Sequence, residues 1–391
     1  MIPSGYKANK VYSVLPTNGD ADLATTRAST ATRVNEIGLI EEVASNVPRL
    51  DYSDGGCPAQ LLEPESRNLF THSEDFSTYL VSPTQTTNST VGINGISVNS
   101  YYGATTSSTI TVLTDTYYTV SIYAKKNNWG FIQIRTSNFD AGSNARTWFD
   151  LENGIVGSTD TPANHINQTI KSFGNGWYRC SITFKSVTDL NGNVTFSVNE
   201  SDTSLINGSS SSEDLFFDAA QLEEQSYATS YIPTSGATAT RVAETLSKTG
   251  LSNYINSSEG VFYFEGSFLS NSDTSLIELN DNSSNNRVSI YTESGLLNAN
   301  CFNGVSNTIS FAGNPTENNK LAIKYSINDL RFFINGTLVG TDNTFSGFTS
   351  DLSAIYFSLS SGLIPFRGKI KDLRVYNEAL TDAELQTLTS N

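Results

Sequence analysis

The chain is short of the residue types that most reaction chemistry needs. Among 391 residues there are two histidines, His72 and His165, and three cysteines, Cys57, Cys180 and Cys301. The cysteines stand far apart and no CxxC pair exists, so a zinc site is not expected. Cys180 lies in Tyr178-Arg179-Cys180-Ser181-Ile182, on one face with Tyr178 and Ile182, which predicts a buried small hydrophobe. Charge is also scarce: 23 basic residues face 39 acidic ones, a net charge of −16. With no basic stripe to meet phosphates, bulk nucleic-acid binding is excluded, and an anionic membrane surface is no better a partner. No apolar run approaches the roughly 20 residues that span a bilayer, so no membrane insertion is expected. The opening MIPSGYKANKVYSVLP lacks the apolar core of a signal peptide. That predicts a protein made in a cytoplasm and not exported by the general route. Triplets such as Asn88-Ser89-Thr90 and Asn335-Gly336-Thr337 are then accidents of composition, not glycosylation sites.

What remains is polar and aromatic. Ser, Thr, Asn and Gly are abundant, and aromatics make up 11%. Polar uncharged residues alternating with Tyr, Phe, Ile and Val fit antiparallel sheets with one solvated face. The length suits two or three domains. Residues 1–66 form an extended arm: Tyr6 to Leu15 reads as one strand, and 17–33 is small and polar, with too little apolar surface to fold alone. Ile37, Leu39, Ile40, Val43 and Val47 follow and offer an apolar patch for a neighbour.

Residues 67–233 carry a first strand series. YYTVSIYAK (117–125), GFIQIRT (130–136), WYRCSITFK (177–185), NVTFSVN (193–199) and DLFFDAAQLEE (214–224) alternate with period two, the signature of a sandwich. Residues 234–250 read as a small-residue linker, and GATATRV at 236–242 echoes STATRV at 29–34. Residues 251–391 hold a second series: VFYFEGSF (261–268), TSLIEL (274–279), RVSIYTE (287–293), KLAIKYS (320–326), LRFFING (330–336), AIYFSLS (354–360) and KIKDLRVYN (369–377). Asn335-Gly336 is a two-residue hairpin signal, because both central residues must take positive φ. Thr381-Asp382-Ala383-Glu384 is a capping box for one short C-terminal helix. The fold class is therefore all-β: an N-terminal arm, then two antiparallel β-sandwich (jelly-roll) domains. Long helices are absent, which excludes a parallel α/β sheet.

Several strings resemble known families. VNEIGLIEEVASNVPRLDY (34–52), GCPAQLLEPESRNLFTHSEDFSTY (56–79), GNGWYRCSITF (174–184) and AAQLEEQSYATSYIPTSGATATR (219–241) resemble a group of tailed-phage structural proteins. In that group a leader precedes a carbohydrate-binding-like sandwich. The group often has Trp soon after Ser-Glu-Asp-Phe, where this chain has Tyr79. FRGKIKDLRVYNEALTDAEL (366–385) resembles the closing strand and helix of concanavalin A-like domains of the laminin-G and pentraxin type. Gly368, Ile370, Asp372, Arg374, Tyr376, Ala379 and Leu380 carry that match, and FFINGTLVG (332–340) is similar to the same family's central hairpin. A fold of this kind does not by itself fix an activity.

Candidate chemistry is thin. A glycosidase needs two positioned carboxylates; Glu265 and Glu278 stand on strands, but no closely spaced acidic motif surrounds them. The two histidines fall in polar loops, which argues against a Ser/His/Asp arrangement. Trp129 and Trp148 are the aromatic candidates for stacking on sugar rings, although Trp is usually well buried; Trp177 reads as structural. No cofactor is required. Calcium is the one cation that the loop oxygens of Asp281, Asn282 and Asn285 would suit, although such loops are commonly solvated Asx turns.

The resulting expectation is a non-enzymatic head-fibre, tail-fibre or decoration protein of a virion. Residues 1–66 would bind other virion proteins, and the chain would form a homotrimer and display lectin-like domains to host glycans. A tail-spike polysaccharide depolymerase and a cellular adhesin are the rivals.

Overall fold

The computed structural model describes residues 3, 5–139, 144–161, 164–187 and 191–390. The protein is all-β with one short C-terminal helix. Period-two alternation decides which side chains enter the cores. In Trp177–Lys185, Cys180, Ile182 and Phe184 enter one core, while Trp177 packs in a separate cluster on the opposite face. Cys180 and Cys301 are fully buried; Cys57 is exposed.

The chain divides into two compact units. Unit 1 comprises residues 1–30, 43–64 and 242–391, and unit 2 comprises 31–42 and 65–241. Unit 1 is a sandwich of a nine-stranded and a seven-stranded sheet. The nine-stranded sheet runs Tyr6–Lys7, Lys10–Val11, Leu23–Thr26, Thr245–Thr249, Ala354–Tyr356, Ser275–Asn280, Arg287–Glu293, Leu296–Phe302, Ser306–Ala312. The seven-stranded sheet runs Thr337–Asp342, Leu330–Ile334, Asn319–Ser326, Glu259–Phe268, Gly368–Tyr376, Ala59–Leu62, Leu50–Asp51. Ile277, Val288 and Leu297 of the first meet Phe262, Leu321 and Ile370 of the second in one core. The Asn335-Gly336 turn takes φ of 48° and 81°, as its hairpin requires. The helix Asp382–Thr389 starts on the Thr381/Glu384 capping box. It drops Leu385 onto Val261, Tyr263, Ala322 and Phe333, on the outer face of the seven-stranded sheet.

Unit 2 pairs two six-stranded sheets around Val120, Ile182 and Leu222 on one side and Ile132, Phe149 and Phe196 on the other. Its second sheet runs Ala104–Thr106, Asn191–Asn199, Phe131–Ser137, Asn144–Asp150, Ile155–Thr159, with Ile110–Thr111 also on Asn191–Asn199. Strand Leu215–Glu223 bulges between Asp218 and Gln221, leaving Ala219 at φ 52°.

Residues 1–66 are not a free arm. Leu23–Thr26 pairs with Thr245–Thr249 in unit 1, and Ala59–Leu62 pairs with Gly368–Tyr376. Ile40 instead joins the Tyr123, Trp177 and Tyr231 cluster of unit 2, while Ile37 stays exposed. The supposed linker 234–250 supplies two strands, Ala239–Arg241 and Thr245–Thr249, the latter well inside the nine-stranded sheet. The physical reasons are the entry of Val11, Leu23, Leu62 and Leu246 into the unit 1 core and long-range charge pairing. Arg27, Arg49, Glu63 and Glu244 are each no more than 3% exposed and form one cluster in unit 1. Arg27 Nη1 donates to Glu244 Oε1 at 2.5 Å, and Arg49 Nη1 to Glu63 Oε2 at 2.7 Å. Arg49 also reaches both oxygens of Glu244. Burial alone would push the Arg49 guanidinium down, but Glu244 and Glu63 outweigh it and hold it above its ordinary value. A segment poor in apolar residues thus gains order from ion pairs with partners some 200 residues away.

Candidate functional site

Unit 1 presents a polar face that strand register assembles. Ile277, Leu279, Val288, Ile290, Leu297 and Ala299 enter the core, so the residues between them point to the other side of the nine-stranded sheet. Directly paired positions then form ranks. One rank is Tyr356, Glu278, Ser289, Asn300 and Thr308. The next is Leu276, Tyr291, Asn298 and Ser310, and a third contains Asn280, Arg287, Phe302 and Ser306. The face therefore alternates amides, hydroxyls and a carboxylate with half-buried Tyr291, Phe302 and Tyr356.

Glu278 is the chemical centre of this face. It is fully buried, and its Oε1 accepts from Asn280 Nδ2 at 2.6 Å and from the Ser360 backbone N–H at 3.0 Å. Its Oε2 has no hydrogen-bond partner. Arg287 Nε stands 3.8 Å from that oxygen and is itself without a hydrogen-bond partner. The Arg287 guanidinium lies 4.3 Å from the Phe302 ring centre, and its Nη1 donates to Ser284 O at 2.6 Å. Burial pushes the Glu278 carboxyl up to about 7, against the opposing pull of Asn280 and Arg287. Asn300 donates to Ser306 and Thr308 Oγ at 2.7 Å each, yet its Oδ1 has no partner. Three neighbouring strands thus each carry one buried polar atom without a hydrogen bond on the same face, Glu278 Oε2 and Arg287 Nε facing each other as an ion pair. Each such atom costs on the order of 1–3 kcal/mol when left without a partner. Donors and acceptors interleaved with aromatic rings are what a polyhydroxylated ligand satisfies.

The residues singled out from sequence lie elsewhere. Trp148 is 2% exposed and its indole N–H is held by Ser204 O at 2.9 Å, so its ring is not free to stack on a sugar. Trp129 is half-buried against the unit 2 core. Trp177 is buried, with its N–H on Val91 O. Glu265 and Glu278 sit on different sheets of unit 1, each on its outer face, so they form no carboxylate pair. Glu265 accepts instead from Tyr263 and Asn318. His72 pairs with Ser235 in an isolated bridge.

The loop at 280–286 does not fit a cation as it stands. Both Asp281 oxygens are taken, by Ser283 on one side and by Asn286 and Ser350 on the other. Asn282 Oδ1 accepts from Tyr356 at 2.7 Å, and the exposed Asn285 bonds Ser283 through its backbone N–H. The loop is a self-satisfied turn that buttresses the rim of the polar face. Among the described residues, no group of three or more His, Cys, Asp or Glu could hold a metal ion.

Sequence reasoning missed this face because it sought ligands among tryptophans and loop acids. The available signal was in the strands: Glu278, Ser289, Asn298 and Asn300 occupy outward positions with Tyr291 interleaved. Residues 263–386 match the family model described as the concanavalin A-like lectin/glucanases superfamily. This stretch is a concanavalin A-like domain. Solved structures similar to the chain include the CBM40 of the Ruminococcus gnavus IT-sialidase bound to α2,3-sialyllactose, at 20% identity. That match covers 36% of this chain and 91% of the other, with a TM-score of 0.32. Domain 4 of AbnA, a GH43 extracellular arabinanase from Geobacillus stearothermophilus, in complex with arabinotriose, is 16% identical. It covers 43% and 84% of the two chains, with a TM-score of 0.32. The native heptameric SAP-like pentraxin from Limulus polyphemus is 18% identical, covering 34% and 70%, with a TM-score of 0.29. No curated protein matches the chain. The concanavalin A-like domain is completed by strands from outside the matched stretch, Leu23–Thr26 and Ala59–Leu62 among them.

Proposed function

We propose that the chain is a non-enzymatic glycan-binding display protein whose contact surface is the polar face around Glu278. The observation that carries this reading is the set of half-buried rings on one face, Tyr291, Phe302 and Tyr356, interleaved with the exposed Ser306, Thr308 and Ser310. Sugar hydroxyls donate and accept at once, as the exposed serine and threonine hydroxyls of this face do. Tyrosine rings give the ring faces of a sugar something flat to lie on. A glycan array with the full chain tests this. Tyr356→Ala and Tyr291→Ala should each lower binding at least tenfold while the chain stays folded. Unchanged binding in both variants overturns the reading.

The wider role we propose is display on a virion, as a homotrimer, for adhesion to a host surface. Its support is the resemblance of residues 30–241 to tailed-phage structural proteins. Anchoring through residues 1–66 drops out of this proposal, since those residues are strands of the two units. Antibody labelling of intact particles, with light scattering for the oligomer, tests this role; unlabelled particles overturn it.

A hydrolytic reading has one observation in its favour: Glu278, raised to about 7, is in the range of a general acid. The next outward position on its strand is Asn280, not a second carboxylate. New reducing ends released from a host polysaccharide, and lost in Glu278→Gln, would favour this reading over adhesion.

A further inference from the structure

A second surface, wholly within unit 2, carries two arginines and, among the described residues, one carboxylate paired with them. Ile132 and Ile134 enter the unit 2 core, as do Val194 and Phe196, so Arg135 and Thr195 point to the outer face of their sheet. Register places Thr106, Thr195, Arg135 and Arg146 in one rank across four strands. Arg135 and Arg146 are therefore direct cross-strand neighbours of like charge, an arrangement that destabilises a sheet. One carboxylate serves the pair. Asp160 holds Arg146, through its Nη1 and its backbone N–H at 2.7 Å each. Arg135 makes one hydrogen bond, from Nη2 to Thr195 Oγ1 at 3.0 Å, and its buried Nε has no partner. Burial first, and Arg146 second, push the Arg135 guanidinium below its ordinary value. In a chain of net charge −16, carboxylates are plentiful, yet among the described residues none is paired with this arginine.

We propose that Arg135 and Arg146, with the Thr106 and Thr195 hydroxyls beside them, form an anion site that takes the carboxylate of an acidic saccharide. A planar guanidinium fork matches a carboxylate in two parallel hydrogen bonds, which a lysine could not supply. The hydroxyls, 3.0 Å apart, offer neutral contacts for the sugar that bears it. An incoming anion would cancel the Arg135–Arg146 repulsion, so binding gains what the empty site loses. The strongly acidic chain repels a dense polyanion at long range. The site therefore suits scattered acidic groups on a largely neutral glycan, and not a nucleic acid. This site is separate from the Glu278 face and does not depend on it.

The test is calorimetric titration of the full chain with three probes of matched length: oligogalacturonate, a neutral galactan and a sulfated galactan. Oligogalacturonate should bind, more weakly as salt rises, and Arg135→Gln should lower its affinity tenfold or more. Because that substitution removes a like-charge contact, its unfolding midpoint should stay level or rise. A purely structural Arg135 would instead lower the midpoint when replaced. Arg135→Lys, which keeps the charge and loses the fork, should retain only part of the affinity. Binding of neither charged probe, or equal binding by Arg135→Gln, overturns the site. Binding of the sulfated probe alone, lost in Arg135→Gln, overturns the choice of a carboxylate.

Discussion

Unit 1 buries opposite charges against one another, whereas unit 2 buries carboxylates among neutral donors. In unit 1, two arginines and two glutamates from four separated stretches close on each other. In unit 2, Asp214 is fully buried with no cation: Asn127, Asn128 and Asn88 donate to it at 2.7–2.9 Å, joined by Thr86 and Ser100. Glu223 is handled the same way by Ser66, Gln221 and Thr229. Ion pairs act as long-range ties between separated segments. Amide and hydroxyl cages can be assembled from any polar loop, which suits a chain rich in Asn, Ser and Thr. The two solutions also fail differently, because a stranded buried ion costs more than a stranded neutral donor.

That contrast can be broken or sharpened by substitution. The largest effect should come from Glu244→Ala, which leaves buried Arg27 without its carboxylate and Arg49 with Glu63 alone, and should cost about 3–5 kcal/mol. Denaturant unfolding measures this, and a loss below about 1 kcal/mol would erase the distinction. The loss should be insensitive to salt, since both side chains of the Arg27–Glu244 pair are 0% exposed. In unit 2, Asp214→Ala should cost about 2–3 kcal/mol, as neutral donors lose their acceptor. Burial works to raise the Asp214 carboxyl, but its hydrogen bonds from Ser100, Asn88, Asn128 and Asn127 prevail and hold it below the ordinary range. Its contribution is therefore present above the unfolded carboxylate range and lost as pH falls through the lower folded value. Asp214→Asn should flatten the acid limb of a stability–pH curve.

Glu278 should behave in the opposite sense. Its folded value of about 7 lies above the unfolded one, so folding is penalised progressively as pH rises between them. Glu278→Gln should match the parent near pH 4 and exceed it by about 3 kcal/mol at pH 8. Thermal unfolding at the two pH values decides, and a variant weaker at pH 8 would show that Arg287 already compensates the carboxylate. The smallest effect should be Thr381→Ala, which removes the helix cap for about 1 kcal/mol. A change several times larger in the melting curve would mean that the helix staples its sheet more firmly than one cap implies.

Much of the fold was open to reading where alternation is unbroken. Trp177–Lys185 and Arg287–Glu293 have the bounds their sequences suggest, and Thr381 with Glu384 announces the helix. Strands with polar residues at both parities were missed. Thr84–Val91 and His165–Gly174 are edge strands, whose outward residues need no apolar character. The leader was misread for a different reason. Arg27, Arg49 and Glu244 look like surface residues one by one, and only their meeting makes burial affordable. The site was hidden similarly: Glu278, Arg287 and Asn300 are distant from any motif and become neighbours only through register.

The chain leaves unit 1 at Pro64 and returns at Val242, so unit 2 is an insertion. During synthesis, residues up to Thr30 and from 43 to 64 emerge early but have no sheets to join. Unit 2 has every one of its strands once Arg241 is out. Unit 1 must wait until Gly368–Tyr376 has emerged. Unit 2 can therefore close before unit 1, whose first-made strands wait longest for their partners.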